Sequence, residues 1–265
     1  MHFYRARTVL ITGASSGIGE AMARLLAPHR PHLLLVARSE EILEALAADC
    51  RAEGARADVF VHDLAEPGAA QALFDRVTAA GHHVDVLINN AGFGKLGAFV
   101  DYPAATYEQM VTLNVTTLTA LTRLFLEPMV KRQSGGILNV ASLAAYLPAP
   151  YFTVYAATKA YVFSFTEALH AELKRSGVHL TALAPGPVAT NFAGAADMKY
   201  LVGGPAISAE RAARAGLEAL ARNQRAVLPS LLTKVTAWAT RLVPKTPTLA
   251  ITGRLIRRAS TQPTF

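Results

Sequence analysis

The chain has one cysteine, Cys50, among 265 residues. A single thiol makes an intrachain disulfide impossible and leaves no cysteine-based metal site. It fits a reducing compartment. Charge is scarce too: 17% of residues are charged against 52% hydrophobic, which excludes a disordered or coiled-coil chain. No apolar window approaches the roughly 18 residues that a membrane-spanning helix needs. The run Thr8–Thr12 is too short for a secretory signal and ends in a glycine turn. These absences predict a cytoplasmic protein. No repeat, low-complexity tract or linker interrupts the first 230 residues. Residues 1–230 therefore read as one domain and residues 231–265 as an extension.

Short unalternating apolar runs alternate with longer segments of helical periodicity. The runs are Thr8–Thr12, His32–Ala37, Ala57–His62, Val84–Asn89, Gly136–Ala141, Val178–Ala184 and Ala226–Pro229. They suit strands buried on both faces of a parallel sheet. Between them, segments such as Ile18–Ala27, Ala105–Lys131 and Val154–Arg175 repeat apolar residues three and four apart. The alternation predicts a Rossmann-type, doubly wound α/β fold of about seven parallel strands.

The first run leads into Thr12-Gly13-Ala14-Ser15-Ser16-Gly17-Ile18-Gly19 and then a helical pattern. A strand entering a glycine-rich turn at a helix N-terminus suits a pyrophosphate, because backbone N–H groups face the anion at close range. The second run ends in Ala37-Arg38-Ser39, where an NAD site wants a carboxylate for the adenosine ribose. Nothing there repels a 2′-phosphate, and a guanidinium accepts one through paired hydrogen bonds. The reading is NADP(H) over NAD(H), with Ser39 adding a hydroxyl and capping the next helix. The third run ends in His62-Asp63-Leu64; Asp63 suits either an adenine amino group or the cap of the helix after Pro67. The fourth run ends in Asn89-Asn90-Ala91-Gly92, where small residues let backbone approach a ribose.

Tyr155 and Lys159 are four apart, one turn apart on a single helix face. A phenol with an ordinary pKa near ~10 is a poor acid–base group at neutral pH. A nearby ammonium favours the phenolate and lowers that value. Ser142 follows a predicted strand, at the sheet edge where open α/β folds bind ligands. Asn114 sits inside a long helical segment, as a kinking hydrogen bond or as the holder of a water in a proton relay to Lys159.

Taken together, Thr12-Gly13-x-x-x-Gly17-x-Gly19, Asp63, Asn89-Asn90-Ala91-Gly92, Asn114, Ser142, Tyr155-x-x-x-Lys159 and Pro185-Gly186 resemble the classical short-chain dehydrogenase/reductase family in order and spacing, over about Thr8 to Pro229. The resemblance implies hydride transfer between nicotinamide and a substrate carbon. Tyr155 would be the general acid/base, Lys159 would lower its pKa and bond the nicotinamide ribose, Ser142 would orient the substrate oxygen, and Asn114 would complete the relay. The cofactor would contact Gly13, Ser15, Ser16, Gly17, Ile18 and Gly19, then Arg38, Ser39, Asp63 and Leu64. Asn90, Ala91, Gly92, Tyr155 and Lys159 would follow, with Pro185, Gly186, Val188 and Thr190 near the nicotinamide. Two positions depart from the pattern: Ser16 replaces a basic residue, leaving Arg38 as the main 2′-phosphate contact, and Ala141 replaces a second serine. A homodimer or homotetramer is also implied.

Phe192, Met198, Tyr200, Leu201 and Val202, with Tyr146, Leu147 and Phe152, predict an apolar substrate pocket, with Lys199 as its one obvious cation. It suits a hydrophobic ketone or secondary alcohol. A 3-oxoacyl-thioester reductase and a non-catalytic NADP-binding regulator are the rivals. After Glu218 the chain holds eight basic residues and no acid, whereas the body balances 18 basic against 19 acidic residues. Pro244 and Pro247 divide this basic tail into two helical pieces. Leu231, Leu232, Val235, Trp238, Ala239, Leu242 and Val243 share one side of the first piece, off Lys234, Thr240 and Arg241. The tail has three open destinations: the body or a second subunit, an anionic membrane surface, or an acidic partner such as an acyl carrier protein. With Trp238 and Phe265 its only aromatics, nucleic acid is not expected.

Overall fold

The apolar runs become strands because both faces of each are covered. The computed structural model describes residues 1–198, 205–242 and 245–259. Its strands are β1 (Thr8–Thr12), β2 (His32–Ala37), β3 (Arg56–Val61), β4 (Val86–Asn89), β5 (Gly135–Val140), β6 (Val178–Leu183), β7 (Val188–Ala189), β8 (Ile207–Ser208) and β9 (Ala226–Val227). Seven form one parallel sheet in the order β3-β2-β1-β4-β5-β6-β9, and β7 pairs with β8 alone. The register pairs Thr8 with His32 and Val9 with Val86, so β1 is hydrogen-bonded on both sides.

Successive residues of a strand face opposite sides, and the core divides accordingly. Val9, Ile11, Leu33 and Leu35 join one layer with Met22 and Leu26 of α1 (Gly17–Leu26), Leu43 and Leu46 of α2 (Glu40–Ala52) and Leu217 of α8 (Ala209–Ala221). Leu10, Leu34 and Val36 join the other with Leu73 of α3 (Ala69–Ala79) and Leu121 and Phe125 of α5 (Leu118–Lys131). Such a side chain gains about 1.5–3 kcal/mol from full burial. That gain on both faces is what makes the runs apolar throughout.

The predicted helix over residues 105–131 is interrupted. It consists of α4 (Ala104–Val111), a π-helical turn over Thr112–Thr117, and α5. The helix α6 (Thr153–Glu172) packs on β5, β6 and the π turn. A short α7 spans Phe192–Ala195, and two further helices, α9 (Leu231–Leu242) and α10 (Lys245–Ala259), complete the chain.

The tail meets the body with the face opposite to its apolar stripe. Thr233 and Ala237 of α9 are buried, whereas Leu231, Leu232, Val235 and Trp238 are between 46% and 75% exposed. The approach is close: a Cβ placed on Gly186 would lie 2.9 Å from Thr233 Oγ1, so glycine at 186 lets α9 settle on the body. On α10, Ile256 and Ala259 face inward. Val243, Pro244 and the side chains of Arg241, Leu242 and Pro247 lie outside the described residues.

Candidate active site

Strand order reverses between β2-β1 and β4-β5, so the loops leaving β1 and β4 part at the C-terminal edge of the sheet. Open α/β sheets bind ligands at that point. A cleft of about 840 Å³ occupies it. The loop after β1 is shaped by backbone. Gly13 has φ +65°, where L side chains are strained, and a Cβ there would lie 2.9 Å from Ala91 Cα. A Cβ on Gly19 would collide with the Gly13 carbonyl oxygen. The two loops are stitched together. Asn90 and Ala91 N–H donate to Thr12 Oγ1 at 3.0 and 3.1 Å, and Asn90 Nδ2 donates to the Thr12 and Gly13 carbonyls, each at 3.0 Å. The Asn90 side chain thus holds the turn. Ser16 precedes α1 without a side-chain cap, so first-turn N–H groups remain for an anion. This cradle fits a dinucleotide pyrophosphate.

Arg38 leaves the end of β2 with its guanidinium 76% exposed, 3.9 Å from Asp63 Oδ2. Two expected caps are absent. Ser39 precedes α2, but its hydroxyl makes no cap bond. Asp63 Oδ1 accepts from Ala65 N–H at 2.9 Å, and α3 begins beyond Gly68, a left-handed residue that occupies the cap position itself. The turn after β3 consumes the carboxylate before the helix starts.

At the other end, Tyr155 lies in the first turn of α6 and Lys159 one turn on. Ser142 caps the 3₁₀ turn Leu143–Tyr146, its Oγ accepting from Ala144 N–H at 3.1 Å. The Tyr155 ring stacks on Phe152 at 4.3 Å and lies 5.5 Å from Phe192. Burial in this apolar nest pushes the phenol up to about 12, opposed by a hydrogen bond with Ser142. Burial lowers Lys159 to about 8. Its Nζ donates to the Val140 carbonyl at 2.8 Å and sits 5.7 Å from the Tyr155 ring centre. The spacing predicts that the ammonium lowers the phenol; the lowering contact here is Ser142, while Nζ donates to the strand end.

Asn114 is fully buried in the π turn, a geometry that often marks functional positions. Its Nδ2 donates to the Phe93 carbonyl at 2.9 Å and to Thr158 Oγ1 at 3.1 Å, and its Oδ1 accepts from Phe93 N–H at 3.2 Å. Thr158 Oγ1 in turn donates to the Tyr155 carbonyl at 2.7 Å. A Cβ on Gly92 would lie 2.9 Å from Asn114 Oδ1 and 3.3 Å from Lys159 Nζ. Glycine there lets the loop and the ammonium approach.

Every residue assigned above to cofactor or catalysis borders this one cleft except Gly19 and Asn114, which lie beneath it. Leu147, Phe152, Phe192 and Met198 line its apolar end, but Tyr146 does not; its ring packs on Phe163 at 4.8 Å. Lys199, Tyr200, Leu201 and Val202 lie outside the described residues. Sequence reasoning missed Thr252, Leu255 and Ile256 of α10, which also line the cleft. Ile256 packs in one cluster with Leu96, Met110, Phe152 and Tyr155. No motif marks them, because an exposed-looking basic tail gave no sign of which residues turn inward. Toward the opposite sheet edge, where β2 begins, Asp58 Oδ2 lies 2.6 Å from His32 Nε2 and 3.4 Å from His82 Nε2. The first of these contacts is a hydrogen bond.

Residues 7–200 match the family model of short chain dehydrogenases. A short chain dehydrogenase of Pseudocercospora fijiensis is 37% identical over 195 residues, 73% of this chain and 63% of that protein. A very-long-chain 3-oxoacyl-CoA reductase of Anas platyrhynchos is 35% identical over 190 residues, 69% of this chain and 60% of the reductase. The chain spans less than two thirds of the length of these relatives. The structure of a short-chain dehydrogenase from Sphingobium yanoikuyae in complex with NADPH is similar at a TM-score of 0.79 and 31% identity, covering 91% of this chain and 97% of that one. With seven parallel strands in this order and the glycine turn at the switch point, the chain belongs to the short-chain dehydrogenases.

Proposed function

We propose that the protein is an NADP(H)-dependent oxidoreductase acting on a hydrophobic ketone or secondary alcohol. The observation that carries this reading is the placement of Ser142, Tyr155 and Lys159 in an apolar end of the cleft whose other end is the glycine turn. A nicotinamide dinucleotide bound there supplies or accepts the hydride. Tyr155 gives its proton to the carbonyl oxygen in reduction and takes it back in oxidation. Burial raises the phenol and makes it a weaker acid, so its proton transfer relies on the hydrogen bond with Ser142 and on the charge of Lys159. Ser142, in hydrogen-bond contact with Tyr155, orients the substrate oxygen. Lys159 places a positive charge beside the phenolate as it forms. Asn114 ties the Phe93 backbone to the Thr158 hydroxyl, which holds the Tyr155 carbonyl, and would complete a water relay to Lys159. Arg38 selects the 2′-phosphate, since no carboxylate terminates β2. The NADPH complex of the Sphingobium protein supports that cofactor choice.

A second reading, a 3-oxoacyl-thioester reductase, is favoured by the likeness to the very-long-chain 3-oxoacyl-CoA reductase. One screen separates the two. Consumption of NADPH, with NADH in parallel, is followed over steroid ketones, aromatic diketones, medium-chain aldehydes and 3-oxoacyl thioesters. Turnover with NADPH preferred, and reduced about a thousandfold in Tyr155→Phe, is the expected result. Selective use of thioesters establishes the second reading. Binding of NADPH with no turnover of any carbonyl defeats both, and a clear preference for NADH removes the role given to Arg38.

A further inference from the structure

The tail helices carry an apolar surface that the fold itself does not use. Of the fourteen exposed large apolar side chains among the described residues, seven lie on α9 and α10. Leu231, Val235 and Trp238 follow at intervals of four and three, one outward helix face, while Thr233 and Ala237 bind the body. On α10, Ile251 and Leu255 point outward while Ile256 and Ala259 are buried. Lys234, Arg254 and Arg258 are exposed on the same two helices, and neither helix contains an acid. Among the described residues no helix is long and apolar enough to cross a membrane.

We infer that α9 and α10 seat the protein on the surface of an anionic phospholipid bilayer. The sign of the charge selects this occupant. A two-fold contact between copies through this face would set like-charged helices together with no acid to pair them. An anionic bilayer offers the opposite charge together with an apolar layer for Leu231, Val235 and Trp238. Tryptophan is the side chain that prefers that boundary. The same surface reaches the cleft: Leu255 is half exposed and also lines the cleft, beside Thr252 and Ile256. A membrane-dissolved ketone or alcohol thereby meets the cleft mouth without crossing water, a consequence that rests on the hydrophobic-substrate reading above.

Trp238 is the chain's only tryptophan, so its fluorescence reports the seat directly. The full-length protein is mixed with vesicles of phosphatidylcholine alone or with phosphatidylglycerol, and both sedimentation and emission are read. The expected result is co-sedimentation with the anionic vesicles and a blue shift of Trp238 emission. Lys234→Gln/Arg254→Gln/Arg258→Gln then weakens binding by about a hundredfold, roughly fivefold per charge. Val235→Ser weakens it without altering turnover of a water-soluble ketone, since Val235 does not border the cleft. Protein left in solution with emission unchanged overturns the inference, as does equal binding to neutral vesicles. A blue shift that grows with protein concentration in the absence of lipid overturns it in favour of a second copy. Vesicle binding by a protein that turns over nothing upholds the seat and defeats only the reductase reading.

Discussion

The two ends of the cleft are built from different materials. The end assigned to the cofactor is made of backbone: Gly13, Gly17 and Gly19 shape it, and Thr12 and Asn90 clamp it with hydrogen bonds between loops that are distant in sequence. The end assigned to the substrate is made of apolar side chains from α6, α7 and α10, packed around one buried phenol. A backbone cradle recognises a charge pattern and tolerates almost no change. A side-chain pocket recognises shape, and its members can be exchanged singly. Variants of each end therefore have separable effects.

The largest expected effect lies at the first end. In Gly19→Ala the new methyl meets the Gly13 carbonyl oxygen, a backbone atom that cannot step aside. The start of α1 is displaced from the turn, and its N–H groups lose charge-assisted bonds to the phosphates worth roughly 1.5–3 kcal/mol each. Calorimetry is expected to show NADPH affinity falling about a hundredfold. Affinity within threefold of the parent would mean that the turn is not the phosphate cradle. Ile256→Ala probes the second end. It removes a buried side chain beside Phe152 and Tyr155, which costs about 1.5–3 kcal/mol of apolar contact. The KM for a hydrophobic ketone is expected to rise about tenfold, with NADPH affinity unchanged. A parallel loss of cofactor affinity would show that the two ends are not independent.

Arg38→Ala is a smaller test of the cradle. The guanidinium is largely solvated and already near Asp63, so its loss is screened. The ratio of NADPH to NADH efficiency is expected to fall about five- to tenfold, consistent with one exposed charge-assisted contact. An unchanged ratio would assign the 2′-phosphate to another group.

The same contrast explains what was legible in the sequence. The strands stood out because burial on both faces leaves no polar position in Val9–Ile11 or Leu33–Val36. The glycine turn stood out because only glycine satisfies its φ angles and close approaches. Tyr155 and Lys159 were legible as a pair through one-turn spacing, but their electrostatics were not. Spacing gives no desolvation, and burial pushes the phenol up and the ammonium down. The π turn at Asn114 was hidden because apolar spacing continues across residues 105–131, while the cause of the widening lies in Phe93 and Thr158. The tail was misleading for a simple reason. An apolar stripe is ordinarily the buried face, yet α9 buries Thr233 and Ala237 and leaves Leu231, Val235 and Trp238 outward.

The buried pair also gives the substrate end a pH signature. Lys159 is lowered from 10.5 to about 8, so between those values the unfolded chain binds more protons than the folded one. Stability contributed by this group therefore rises with pH across that window, by at most about 1.4 kcal/mol per unit. Tyr155 acts in the opposite sense: raised from 10.0 to about 12, it stabilises the fold below pH 10, and that contribution is lost as pH climbs through 12. Cys50, raised from 9.0 to about 11 by burial, adds a further decline above 9. Because these slopes overlap, the informative quantity is a difference between variants. Urea midpoints of the cofactor-free protein between about pH 8 and pH 9 isolate the lysine. Lys159→Met is expected to abolish the rise in that interval, and Arg38→Ala, at the far end of the cleft, to leave it intact. A rise that survives in Lys159→Met would place the titrating group elsewhere in the fold and remove the buried ammonium from the account of this site.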